Sequence, residues 1–128
     1  MRILGFSRMW TKLNQSEFTT FRFERHDRDW YVGEVVQVVF KPRTKGSEVL
    51  GIASIISKEP RWMKPKMRSD IPDIIQEEAM ADGFEDWRAM WHWLLQTYDI
   101  RRLLSEPMNK LTLRKVGDWQ ELQKLAEG

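Results

Sequence analysis

The chain has 128 residues, 41% of them hydrophobic and 31% charged, which is one domain with room for a single core. It has no cysteine and two histidines, which excludes disulfides, thiolate metal sites and cysteine nucleophiles and argues against a histidine-rich metal centre. The net charge of +2 conceals an asymmetry: residues 1–68 carry 14 Lys/Arg against 7 Asp/Glu, whereas residues 69–128 carry 7 against 12. A basic half beside an acidic half suits a face built for a polyanion, and two separately solvated surfaces account for it equally well.

In chain order, Arg2 to Phe6 predicts a first strand. It lacks the long apolar region and small-residue cleavage site of a secretory signal. No apolar run approaches the ~18–20 residues that a bilayer span needs, so the expectation is a cytoplasmic protein with no membrane partner. Residues 7–17 are mixed and basic, a loop or short helix in which Trp10 serves either as a core plug or as a base-stacking platform. Phe18 to Phe23 alternates, placing Phe21 and Phe23 on one face of a strand and Thr20 and Arg22 on the other. Arg25-His26-Asp27-Arg28-Asp29 is a solvated turn, and Gly33 supplies the bend into Val35–Phe40, a β-branched run suited to a buried strand.

Residues 41–48 hold three cations, Pro, Gly and Ser and form a surface loop before a third long strand over Val49–Ser57. The segment 58–68 is the most basic in the chain. Its prolines preclude a regular helix, and Arg61, Trp62, Lys64, Lys66 and Arg68 are candidate nucleic-acid contacts. Ser69-Asp70 then offers a helix N-cap, with Ile71, Ile74, Ile75 and Ala79 at helical spacing until Gly83. Phe84, Trp87, Met90, Trp91, Leu94 and Leu95 predict an amphipathic helix over 85–97 whose aromatic stripe is core. A further turn over 99–104 precedes Pro107, 110–116 alternates as a closing strand, and Asp118 caps a last helix to Ala126 anchored by Leu122 and Leu125.

Enzyme signatures are mostly absent: there is no phosphate-cradling glycine loop, no nucleophile elbow, no His-Glu-x-x-His pair and no triad. The acidic run Glu77, Glu78, Asp82, Glu85 and Asp86 flanks two helices and reads as helix-end and surface charge. His92 has no evident partner. What remains is the face of strand 18–23, where Arg22 can grip a phosphate or a base edge and Thr20 can hydrogen-bond or be activated as a nucleophile. Lys12 lies within reach in the preceding loop.

The order Phe18-Thr19-Thr20-Phe21-Arg22, Val32-Gly33-Glu34-Val35-Val36, Leu50-Gly51-Ile52-Ala53, Ala81-Asp82-Gly83-Phe84 and a closing strand resembles the ASCH family of the PUA-like superfamily, over most of residues 3–116. The resemblance implies a small, mostly antiparallel PUA-like β-barrel of class α+β with helices covering one side, and a role in binding RNA. It also implies a cleft lined by the Thr-x-Arg strand and the acidic residue before Gly-Phe. Some small family members hydrolyse N4-acetylcytidine with a lysine, a threonine and a glutamate. The threonine matches Thr20 and the glutamate falls near Asp82, but the lysine position falls on Glu17, and Lys12 can substitute only if its loop folds back. A carboxylate cannot do a lysine's work, so binding of RNA or a nucleotide at Lys12, Thr20, Arg22 and Asp82 is the leading expectation, without cofactor or metal. An enzyme on modified nucleosides or RNA, with Thr20 as nucleophile or orienter, Arg22 as anion grip and Asp82 as base, is the alternative. A protein-interaction module follows if Trp62 and Trp93 are exposed together.

Overall fold

The computed structural model describes residues 1–64 and 69–121. Five strands form one mixed sheet: β1 (Arg2–Phe6), β2 (Glu17–Arg22), β3 (Val35–Phe40), β4 (Glu48–Arg61) and β5 (Met108–Val116), in the order β1-β3-β4-β5-β2. Three of the four pairings are antiparallel and β1–β3 is parallel, with Leu4 opposite Val38. Three helices, α1 (Gln76–Ala81), α2 (Trp87–Thr97) and α3 (Ile100–Ser105), are inserted between β4 and β5. The protein is therefore α+β. β1 and β2 are the two edges of the sheet, and no backbone ladder closes it into a barrel among the described residues.

The period-2 pattern decides which side of the sheet each residue serves. Leu4, Phe6, Phe18, Val36, Val38, Ala53, Ile55, Leu111 and Leu113 turn to one face and build a core with Trp10, Leu13 and Trp30. Phe21 and Phe23, on the opposite side of β2, join Met63, Ile74, Ala79, Met90, Leu94, Leu103 and Met108 in a second core under the helices. Phe84 and Trp93 pack against both. Thr20 and Arg22 thus share their side of the strand with Phe18, on the concave interior.

Two spans differ from the sequence expectation. β4 runs on to Arg61, past Ser57, because its charged residues find distant partners: Lys58 bonds Asp29 at 2.8 Å, and Arg61 meets Glu78 at 3.2 Å. Register shifts beside Ile56 and between Val38 and Val39 bend this long strand. The helix expected from Ser69 starts only at Gln76. Pro72 favours an extended residue before it, and Trp62 captures the segment through Trp62 N→Pro72 O at 3.0 Å and Ile74 N→Trp62 O at 2.8 Å. Glu78 then satisfies the Ile75 N–H at 3.1 Å, and Asp86 caps α2 through Ala89 N at 2.8 Å.

Three anchors went unread in the sequence. Glu34 is 2% exposed and accepts from Arg2 Nε at 2.6 Å. Burial pushes its carboxyl up, but the hydrogen bonds and charge of Arg2 outweigh this and hold it below the usual range. Arg2 also braces the 27–29 turn through the carbonyls of Arg28 and Asp29. Trp119 is buried against Phe18 and donates Nε1–H to Ile52 O at 2.9 Å, while Asp118 caps the backbone at Gln120. The expected contacts of Leu122 and Leu125 lie outside the described residues.

Trp119 reaches the sheet only because Gly51 has no side chain: a Cβ there would overlap the indole. Gly51→Ala is expected to cost about 1–3 kcal/mol, as overpacking does, read as a lowered urea midpoint at unchanged m-value. A midpoint equal to that of the unaltered protein would mean that Trp119 leaves its seat freely.

Candidate functional site

Lys12, Thr20, Arg22 and Asp82 meet in one cavity of about 1020 Å³. Each arrives from a different part of the fold. Lys12 comes from a 3-10 turn, Thr11–Asn14, which follows β1; Thr20 and Arg22 come from β2; Asp82 is the residue that ends α1. The walls are aromatic: Trp10, Phe84 and Trp93 pack on one another, with Trp10 4.9 Å from Phe84 and 6.1 Å from Trp93 between ring centres, and Phe6 and Tyr98 complete the lining. The loop after β3 supplies the rim through Lys41, Pro42, Thr44 and Lys45.

The polar floor is made of two linked sets. In the first, Lys12 Nζ donates to Asp82 Oδ1 at 3.0 Å, and Thr19 Oγ1 donates to the same oxygen at 3.1 Å. Lys12 and Asp82 are each 5% exposed, so this is a buried ion pair. Burial pushes Lys12 down from its ordinary value, and the attraction of Asp82 restores only part of that. Burial likewise pushes Asp82 up, against Lys12 and Thr19. Both shifts favour the uncharged forms, which brings the two proton affinities towards each other. Lys12 Nζ also sits 5.5 Å from the Phe6 ring centre and 5.4 Å from that of Trp10, so rings as well as Asp82 hold the ammonium. Asp82 Oδ2 makes no hydrogen bond among the described residues.

In the second set, Arg22 Nε donates to Thr20 Oγ1 at 3.0 Å and Nη2 to Gly5 O at 2.8 Å, with Cζ 4.9 Å from the Phe6 ring centre. The guanidinium is thus fixed on three sides. It still has the Nη1 hydrogens and one on Nη2 without a protein acceptor among the described residues, a fork of the right shape for an anion. Because Arg22 ties β2 to β1, the same bond draws the two sheet edges together, and the Phe6 and Phe18 rings, 6.3 Å apart, fill the space between them. Gly5 lets the rim close over β1: a Cβ on it would stand 2.6 Å from Pro42 Cγ.

The rim is conformationally unusual. Lys41 and Arg43 hold φ of 49° and 64°, left-handed values that side chains other than glycine rarely adopt. Lys41 is pinned there by its N–H to Phe6 O at 2.8 Å and by Thr44 Oγ1, which donates to Lys41 O at 2.8 Å. Such strain persists where the surroundings over-determine it and gathers at functional sites.

Among the other sequence candidates, Arg61 is spent on Glu78, Trp62 is half-buried with its main chain bridged to Asp73, and Lys64 is exposed. Lys66 and Arg68 lie outside the described residues. Trp93 is half-buried in the cavity wall and does not form an exposed pair with Trp62. Glu17 is exposed and pairs with Arg114 at 3.1 Å, away from the cavity, so the position where the ASCH resemblance expects a lysine is not part of it. Strand alternation set Thr19 aside, yet its hydroxyl is the one that meets Asp82. The acidic run reads as helix-end and surface charge, but Asp82 is 5% exposed because the end of α1 turns it onto Lys12; only the family resemblance places it in a cleft.

Among the described residues, no group of three or more His, Asp or Glu is placed to hold a metal ion, and no helix is long and apolar enough to cross a membrane. No family model, curated protein or solved structure matches this chain. The functional reading therefore rests on the cavity.

Proposed function

We propose that the cavity binds a nucleotide of RNA. The base sits among Trp10, Phe84, Trp93 and Tyr98, and the phosphate sits on the Arg22 fork beneath the Lys41 and Lys45 rim. The observation that carries this reading is the pairing of a fixed guanidinium with aromatic walls in one cavity of about 1020 Å³, large enough to take a nucleotide. Each base has a π face for rings to stack on, and each phosphate has the charge that an arginine fork matches. Asp82 Oδ2 is the acceptor for an exocyclic amino group, the contact carboxylates make with cytosine. Part of the same proposal is that the fold is a PUA-like pseudobarrel of the ASCH type, its seam bridged by Arg22 and Phe6 rather than by a backbone ladder.

The test is a titration of the four ribonucleoside monophosphates and of inorganic phosphate at low salt, followed by the intrinsic tryptophan fluorescence, to which Trp10 and Trp93 in the cavity contribute. A saturable change with at least one nucleotide, weakened by salt, is expected. No binding by any of them at low salt removes the proposal.

A second reading, hydrolysis of an acylated cytidine, is favoured by the Lys12–Asp82 pair, whose shifts make it suited to moving a proton. The resting geometry does not activate Thr20, because its hydroxyl accepts from Arg22 and meets no base among the described residues. Incubating the protein with N4-acetylcytidine decides between the two readings. Acetate release that disappears in Asp82→Asn replaces binding with catalysis; no release leaves the cavity as a binding site.

A further inference from the structure

A second concavity of about 480 Å³ opens beside the first, and Arg22 and Tyr98 line both. It lies under the turn after β2 and against the start of α3. Its cations are Arg22, Arg25 and Arg102, set against Glu24 and Asp27. Asp27 is already engaged by Arg25 at 3.2 Å and by the Arg28 N–H at 2.9 Å, so it offers little repulsion to an incoming anion. Arg25 lies over the Trp30 ring with Cζ 5.3 Å from its centre, and Arg102 over Phe23 at 4.2 Å. A guanidinium laid on a ring is held flat, with its outer face turned to a base. Arg102 donates Nε–H to Glu106 at 2.8 Å and Nη2–H to Glu24 O at 3.3 Å, and Arg25 Nε pairs with Asp27, so the edge left for a phosphate is Nη1 of Arg102 and the two Nη groups of Arg25.

We propose that this groove is a second nucleotide subsite, so that the protein binds a single-stranded RNA segment passing from the cavity over Arg22 and Tyr98 into the groove, rather than a free nucleotide. The inference rests on the nucleotide reading of the cavity. The shared Arg22 is its pivot. One guanidinium facing two adjoining concavities sits where the phosphate between two consecutive nucleotides would lie. A site built for a mononucleotide has no use for a cationic groove continuous with its phosphate end. A groove that follows the backbone is how proteins without strict sequence preference hold single strands.

The test compares the ribonucleoside monophosphate that binds tightest with its own homo-oligomers, from the dinucleotide upward, on the 128-residue chain. Affinity is expected to rise about tenfold or more on passing from one nucleotide to a short oligomer and then level off. The salt slope should steepen by roughly 0.7 for each added phosphate contact. Arg25→Gln, a substitution in an exposed turn, should cancel most of that gain and shallow the oligomer's slope, while mononucleotide affinity changes by less than about twofold. Arg25→Lys should restore the slope. Equal affinity for mononucleotide and oligomer, or an Arg25→Gln loss of the same size for both, overturns the second subsite and leaves the cavity reading intact. Failure of every nucleotide and oligomer to bind at low salt removes both.

Discussion

Replacing Lys12 with Met is expected to destabilise the protein by about 3–5 kcal/mol at neutral pH, because it strands the Asp82 carboxylate in a dry site. Asp82 is 5% exposed, and Thr19 alone would remain to bond Oδ1. The pH dependence identifies the cause. Burial already raises the Asp82 carboxyl above its ordinary 3.8, and removing Lys12 removes the largest influence opposing that rise. A carboxyl whose folded pKa lies above its unfolded value favours the fold when protonated and costs stability once ionised. The deficit of Lys12→Met should therefore shrink as pH falls through the raised folded value towards 3.8 and be complete above it. Lys12 in the unaltered protein has the opposite sense. Its value is pushed below 10.5, so its charged form costs stability below the folded value, and that cost is relieved as pH rises towards 10.5. Lys12→Met with Asp82→Leu removes both charges and should regain most of the loss, as apolar replacement of buried pairs does. Denaturant melts of the parent, Lys12→Met and the double variant at neutral and mildly acidic pH give the comparison. A Lys12→Met protein as stable as the parent at neutral pH would show that the pair is not what docks the 3-10 turn against the end of α1.

That pair also marks how far the sequence could be read. Lys12 and Asp82 lie 70 residues apart, and nothing in their local patterns links them; only the return of α1 over the concave face does. The strand face carrying Thr20 and Arg22 was legible because alternation is local, and β3 occupies the span its β-branched run implies, Val35–Phe40. Residues 58–61 look like a basic loop because Lys58, Glu59 and Arg61 are charged. They continue β4 because their partners, Asp29, Glu78 and Lys110, come from three other elements. The spacing of Ile71, Ile74 and Ile75 mimics a helix, but Pro72 and the main chain of Trp62 hold that stretch extended. Glu34 and Trp119 escaped notice for a similar reason: a lone carboxylate beside a turn and a lone tryptophan in a polar segment show their value only when Arg2 and Gly51 are brought opposite them. Local periodicity thus gave the faces, while distant charge pairing decided where strands end and which polar groups are buried.

Replacing Arg22 with Lys is expected to weaken nucleotide binding by about 1–3 kcal/mol, roughly fivefold to 150-fold, without changing the salt slope. The ammonium keeps the charge that sets counterion release, but it has neither the planar fork nor the reach to bond Thr20 Oγ1, Gly5 O and a phosphate at once. In the unaltered protein Nε and Nη2 hold the first two at 3.0 and 2.8 Å, so the rest of the fork is aimed before any ligand arrives. Arg22→Leu removes the charge as well, and should lose more affinity and shallow the slope by roughly 0.7 for the phosphate contact given up. Thr20→Val, which keeps the shape but takes away the acceptor for Nε, should cost on the order of 1 kcal/mol in affinity, because the guanidinium is then held by Gly5 and the Phe6 ring alone. The order of effects, Leu above Lys above the Thr20 change, follows from charge, fork and orientation being removed in turn. Arg22 also braces the seam between β1 and β2, so thermal melts must accompany the titrations. If Arg22→Lys binds as tightly as the parent while its melting temperature falls, Arg22 is a brace for the sheet edges and the phosphate belongs elsewhere in the cavity.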